Sequence, residues 1–160
     1  MTAHEADRNY ADRRQDREVR VFSAGVAVLR RVDGQWRFLL LRAFQHWDFP
    51  KGQVERDEQP LQAARREVME ETGITELRFH WGHSYIETGP YAQGKIARYY
   101  LAETTETAVT FGISPQLGRA EHHEYRWVTL DEAFRLTSPR VHRVLGWIRH
   151  RLNASKASQD

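Results

Sequence analysis

The sequence predicts an α+β fold in which helices pack against a mixed β-sheet. Three observations predict it. The elements read in the order ββ, loop, α, βββ, αα, which is not the alternation of a doubly wound sheet. The strand-like runs are β-branched and aromatic and are bounded by turn residues. The 160 residues are 40% hydrophobic, which suits one domain with one sizeable core.

Residues Met1 to Arg17 hold four acids and four arginines with little that is apolar. They read as a mobile tail ahead of a single domain over 18–152. Val19–Leu29 has a strand pattern, Asp33-Gly34 supplies a tight turn, and Trp36–Arg42 is the antiparallel return. Phe49-Pro50-Lys51-Gly52 reads as a loop, because Pro cannot donate to a ladder and Gly opens unusual dihedrals. From Gln59 to Thr72 the period becomes helical. Pro60 suits a first turn there, and Gly73 suits the position after the last. Leu77–Ile86, Lys95–Glu103 and Glu124–Thr129 read as strands, with Thr88–Gly94 a loop among them. Leu130–Leu136 and Val141–Leu152 read as helices, the second with Val141, Leu145 and Ile148 on one face. Asn153–Asp160 reads as a second loose tail.

Composition narrows the function. With no cysteine there is no disulfide, thiolate metal site or cysteine nucleophile. No apolar run approaches the ~20 residues that span a bilayer, so a cytoplasmic protein with no membrane partner is expected. Lys and Arg total 24 against 22 Asp and Glu, a net charge of +2. So small a net charge does not point to nucleic acid as the main partner.

The helix over Leu61–Thr72 carries the chemistry. Leu61, Ala64, Val68 and Thr72 share roughly 80° of its circumference and form the core stripe. Glu67, Glu70 and Glu71 stand at i, i+3 and i+4 on a neighbouring face, so their carboxylates converge. Like charges at this spacing cost roughly 0.2–0.5 kcal/mol per pair. The negative end of the helix dipole costs each anion roughly 0.3–1 kcal/mol more. Arg66 reaches Glu70 at i+4 but cannot neutralise three carboxylates. A solvated acidic face is the simpler alternative. Glu55–Glu71 nevertheless nets −3, from six acids and three arginines, and leaves +5 on the rest of the chain. Hard oxygen ligands in a basic surround suit Mg²⁺ or Mn²⁺ bridging to a polyanionic substrate.

Gly52, then Glu58, then Arg66-Glu67-Val68-Met69-Glu70-Glu71-Thr72-Gly73-Ile74 fill the pattern G-x5-E-x7-R-E-U-x-E-E-x-G-U, U being a bulky aliphatic. This resembles the Nudix box of the Nudix hydrolases. The resemblance implies the Nudix fold, an α/β/α sandwich around a mixed sheet. It also implies metal-dependent hydrolysis of a nucleoside diphosphate linked to another moiety. By position it implies Gly52, Glu67, Glu70 and Glu71 as metal ligands, the three glutamates also being catalytic. Glu58 and Arg66 become structural braces, and Gly73 the helix stop.

Three further segments resemble the asymmetric diadenosine tetraphosphate hydrolases. These are His46–Gly52, Lys95–Glu103 and the Glu121-His122-His123-Glu124-Tyr125-Arg126-Trp127 run. The likeness implies Glu121 as a further metal-binding and catalytic carboxylate, with Glu121 or Glu70 as general base. It also implies that His46, Lys51 and Lys95 hold phosphate oxygens. The loop Phe111–Arg119 departs from that likeness. A nucleobase needs a ring to stack on; Tyr91 is the candidate, because Tyr99 and Trp127 lie in strand-like runs that favour the core. His80 and His83, on a strand, would point to opposite faces, which argues against zinc.

The reading is therefore an enzyme that splits a dinucleoside polyphosphate into nucleoside tri- and monophosphate. Alternatives within the same chemistry are pyrophosphohydrolysis at an RNA 5′ end and cleavage of diphosphoinositol polyphosphates. A nucleotide-sensing module without catalysis is the alternative outside it. Monomer and homodimer are both open.

Overall fold

The computed structural model describes residues 21–159, with side chains through residue 156. The readings of Met1 to Arg17 fall outside the described residues. Strand β1 (Val21–Val32) lies at the middle of the sheet, and its eight residues from Phe22 to Leu29 are all buried. An uninterrupted buried run means both faces of the strand are covered. The other strands are β2 (Gln35–Ala43), β3 (His46–Asp48), β4 (Lys51–Gln53), β5 (Ile86–Tyr91), β6 (Lys95–Glu103) and β7 (Glu124–Val128). They run in the order β3-β2-β1-β6-β5, with β4 paired to β1 and β7 to β2. β1 and β6 are parallel from Val21↔Lys95 to Leu29↔Glu103. The other pairings are antiparallel, so the sheet is mixed.

β2 holds β1 only at Leu29–Val32, while β4 takes its place at Ser23–Gly25. The two long strands therefore diverge, and the Pro50–Gln53 segment fills the gap. The Val26 amide donates to the Pro50 carbonyl at 3.1 Å. That fork sets the site at the N-terminal half of β1.

Period-2 alternation gives each face its own core. Phe22, Ala24, Val26 and Val28 pack with Ala63, Ala64 and Val68 of helix α1 (Pro60–Thr72). Ala27 and Leu29, with Tyr99 and Leu101 of β6, pack on the other face. There they meet Ala133 of α2 (Leu130–Leu136) and Val141, Val144, Leu145 and Ile148 of α3 (Pro139–Gln159). The result is the expected layering of helix, sheet and helices.

Four expectations need correction. Leu77–Ile86 is not a strand: Arg78 makes a single bridge to Glu103. The chain then turns at Gly82, whose φ of +81° is left-handed and whose amide bonds the Phe79 carbonyl at 3.0 Å. The strand begins instead at Ile86 and takes in most of the expected 88–94 loop, with a register shift between Thr88 and Tyr91. Lys51–Gln53 is a short strand, because Pro50 needs only its carbonyl there. Finally, α3 runs on past Leu152 to Gln159, across Ala154, Ser155 and Lys156, with no Gly or Pro to stop it. No helix among the described residues is long and apolar enough to cross a membrane.

Candidate active site

Helix α1 is placed by its apolar stripe and finished by Gly73, whose φ of +78° lets its amide close on the Met69 carbonyl. Thr72 is buried and ties its hydroxyl to the Val68 carbonyl at 2.6 Å. These contacts aim the adjacent face of the helix, with Glu67 and Glu71, at the β4 segment. A Cβ at Gly52 would overlap the Glu67 carboxylate. Glycine at 52 is thus what allows backbone and carboxylate to meet. The Lys51 amide donates to Glu71 Oε2 at 3.3 Å.

Arg66 organises the acidic face. It grips Glu58 with two bonds, Nε to Oε2 at 2.7 Å and Nη2 to Oε1 at 3.0 Å. Nη1 reaches Glu67 Oε1 at 2.8 Å and Glu70 Oε2 at 3.0 Å, and Nη2 reaches the Gln53 carbonyl at 3.0 Å. Glu58 in turn accepts from the Glu55 amide at 3.1 Å. Helix, β4 and the 53–58 loop are thereby locked together. The hydrogen bond from Arg66 holds the Glu58 carboxyl below its ordinary range.

For Glu71 and Glu67 burial prevails instead. Burial, with the like charges of Glu67 and Glu121, pushes the Glu71 carboxyl well above its ordinary value of 4.5; Lys51 only partly offsets this. Burial also raises Glu67, despite Arg66. Ligand atoms of Glu71, Glu121 and His122 lie within 4.8 Å of one another. Burial keeps His122 below its ordinary value, so it is a neutral nitrogen donor at neutral pH. Glu67 and Glu71, whose charged forms burial disfavours, stand with the exposed Glu121 as a set of hard oxygens that fits a divalent cation.

These groups line a cleft of about 940 Å³. One wall is acidic, with Glu67, Glu70, Glu71 and Glu121. Lys51, Arg56 and Lys95 bring positive charge to it, and the 111–116 loop closes the side. That loop is anchored to the end of α1: the Thr110 amide bonds the Thr72 carbonyl at 2.9 Å, and a Cβ at Gly112 would strike the Glu70 carbonyl.

The structure thus brings together Gly52, Lys51, Lys95, Glu67, Glu70, Glu71 and Glu121. It does not bring His46 or Tyr91 into the lining. His46 is exposed on β3. Tyr91 packs against the α3-side core, with the Arg140 guanidinium 4.1 Å above its ring. Tyr99 is buried in that core, and the Trp127 ring is covered by Arg30 at 4.8 Å. His80 turns to Glu103 at 2.7 Å and His83 to the Phe79 ring.

One cluster was missed at the sequence level. Asp48 accepts from the Tyr99 hydroxyl at 3.0 Å and from Arg140. It also accepts from the Phe49 amide at 2.7 Å and faces the Lys51 ammonium at 3.9 Å. Arg140 also bonds the Tyr99 hydroxyl at 2.8 Å and Thr88 Oγ1 at 2.9 Å. Burial favours neutral Lys51, but Asp48, Tyr91 and Glu71 outweigh it, and the pKa is raised. Lys51 is therefore a fixed, permanently charged ammonium beside Gly52. The signal available was Asp48 beside the Pro50-Lys51-Gly52 loop; Arg140 on a distant helix offered none.

Comparison with known proteins follows the same lines. The NUDIX domain family model matches residues 19–147. The asymmetrical bis(5′-nucleosyl)-tetraphosphatase of Sus scrofa is 39% identical over 105 residues, covering 62% of this chain and 68% of that protein. Its namesake in Caenorhabditis elegans is 34% identical over 122 residues, covering 72% and 84%. A crystal structure of a C. elegans Ap4A hydrolase binary complex superposes with a TM-score of 0.70 at 28% identity, covering 87% of this chain and 99% of that one.

Proposed function

The chain belongs to the NUDIX domain family, and from that premise we propose that it hydrolyses dinucleoside polyphosphates, splitting diadenosine tetraphosphate into nucleoside triphosphate and monophosphate. The observation that carries the proposal is the cleft in which Glu67, pressed against Gly52, gathers with Glu71 and Glu121, with Lys51 and Lys95 alongside. The relatives named for that activity support the choice of substrate.

The acidic wall fits a divalent ion, Mg²⁺ or Mn²⁺, held by Glu67, Glu70, Glu71, Glu121 and the Gly52 carbonyl. Such an ion supplies charge neutralisation for phosphate oxygens and acidity for the attacking water. Lys51 and Lys95 hold the polyphosphate; Lys51, fixed by Asp48, sets which phosphorus faces the carboxylates. Glu121 takes the proton from water during in-line attack. It suits that task better than Glu70, whose carboxylate is already bound by Arg66 at 3.0 Å. The 111–116 loop borders the side of the cleft. His46 and Tyr91, outside the lining, receive no phosphate or base in this reading.

A substrate panel tests it. The protein is incubated with Mg²⁺ and diadenosine tetraphosphate, diadenosine hexaphosphate, triphosphorylated RNA, ADP-ribose, a nucleoside triphosphate or a diphosphoinositol phosphate. Products are resolved by chromatography. The tetraphosphate should lead in kcat/KM and give ATP and AMP. A ranking led by ADP-ribose, RNA or a simple nucleoside triphosphate overturns the substrate assignment.

A further inference from the structure

A second cavity, of about 740 Å³, opens at the other end of the sheet. Arg31 and Trp36 of the β1–β2 hairpin, Trp81, and Arg149, Leu152 and Lys156 of α3 contribute to its walls. Arg31 lies seven residues (31 minus 24) along β1 from Ala24, which pairs with Gly52. At 3.3 Å per residue that is about 23 Å of strand. The cavity is therefore separate from the hydrolytic cleft, and nothing in the reaction above uses it.

Two features set its chemistry. The first is positive charge. Arg31, Arg149 and Lys156 are exposed. Glu103 is the one carboxylate among the described wall residues, and it is already engaged by His80 at 2.7 Å and Arg78 at 3.8 Å. Three cations thus stand against one carboxylate on the described wall, an excess of positive charge.

The second feature is flat aromatic surface. Trp36 and Trp81 meet edge to face with centroids 5.5 Å apart. The Arg31 guanidinium lies 4.4 Å over the Trp36 ring. Nucleobases stack both on indole rings and on guanidinium planes held in this way. Leu152 extends the apolar side. An inorganic anion would use only the cations, and an apolar solute only the rings. A ligand carrying a planar base and a phosphate uses both.

We propose that this cavity is a second, non-catalytic nucleotide site, with phosphate on Arg31, Arg149 and Lys156 and base on the Trp36–Trp81 corner. Its described wall has no converging carboxylates, so a nucleotide there is bound and not cleaved. The proposal does not depend on the hydrolytic assignment.

The test titrates the full chain with AMP in EDTA and follows the tryptophan indole N–H signals by heteronuclear NMR. Trp36→Phe and Trp81→Phe assign the signals. Both signals should shift saturably at millimolar AMP. The double variant Arg149→Glu/Lys156→Glu should weaken that binding by about tenfold or more, since two attractive charges become repulsive. Hydrolysis in the other cleft should not change. Arg31→Gln, on the opposite wall, should weaken binding independently, which covers failure of the double variant to fold. Signals that stay still refute the site. So does wild-type affinity in either variant, or an equal response to inorganic phosphate or adenosine alone.

Discussion

Replacing Glu71 with Gln should stabilise the metal-free protein while destroying its activity. Ligand atoms of Glu71 and Glu121 lie within 4.8 Å. Two unit charges at that separation repel by about 3.5 kcal/mol at an effective dielectric of 20, and by about 1 kcal/mol in bulk water. Glu121 is exposed, so the lower part of that range applies, about 1–2 kcal/mol. The amide keeps an acceptor for the Lys51 amide, so that hydrogen bond survives. For a chain of this size the gain should raise Tm in EDTA by about 2–8 °C.

The pH dependence has a definite sign. The folded-state pKa of Glu71 is raised, so the folded protein binds more protons than the unfolded chain just above pH 4.5. Stability of the wild type falls as pH rises through that window. The advantage of the Gln variant should therefore be absent near pH 4 and grow as pH rises above it. Added Mg²⁺ should raise Tm strongly in the wild type and weakly in the variant. Turnover should fall by more than the roughly 10–100-fold cost of losing an outer-shell partner. Thermal scans in EDTA across pH, paired with turnover assays, check all of this. A variant less stable than wild type at pH 7 in EDTA, or one with near-normal turnover, refutes the reasoning.

Other perturbations probe the remaining contacts. Arg66→Met strips the partner from Glu58, whose side chain is only 8% exposed. It should cost about 3 kcal/mol, the low end for a broken buried pair, because the arginine side chain keeps 21% exposure; Tm should drop by about 6–12 °C. Glu58→Gln should remove stability above the ordinary carboxylate pKa and leave acid stability nearly unchanged, because the Glu58 pKa is lowered and its contribution is lost as pH falls; denaturant melts at two pH values read this. Gly52→Ala should displace the Glu67 carboxylate that occupies the Cβ position, weakening metal affinity by calorimetry more than it lowers Tm. Arg140→Met should leave Asp48 and Lys51 less fixed and raise KM for the tetraphosphate more than it lowers kcat, which steady-state kinetics would show.

How far the site could be read in advance depends on how far apart its parts lie in the chain. Glu67 and Glu71 share one face because a helix brings i and i+4 together, and Arg66 reaches Glu58 across eight residues. Both facts live inside the 23-residue stretch from Gly52 to Ile74, where spacing is geometry. The helix stop at Gly73 was legible for the same local reason. Leu77–Ile86 failed because its aromatic and apolar composition suits a strand, while one left-handed Gly82 turns the chain. Only the ladder partner decides between them, and β6 accepts a single bridge there. The Asp48–Arg140 contact spans 92 residues, between the end of β3 and the first turn of α3. No periodicity links such positions; the packing of α3 onto the sheet creates the contact. The helix-borne part of the acidic wall, Glu67, Glu70 and Glu71, is thus local and legible, whereas the network that holds Lys51 exists only once both helical layers have closed on the sheet. It follows that α3 can tune substrate affinity without touching the carboxylates.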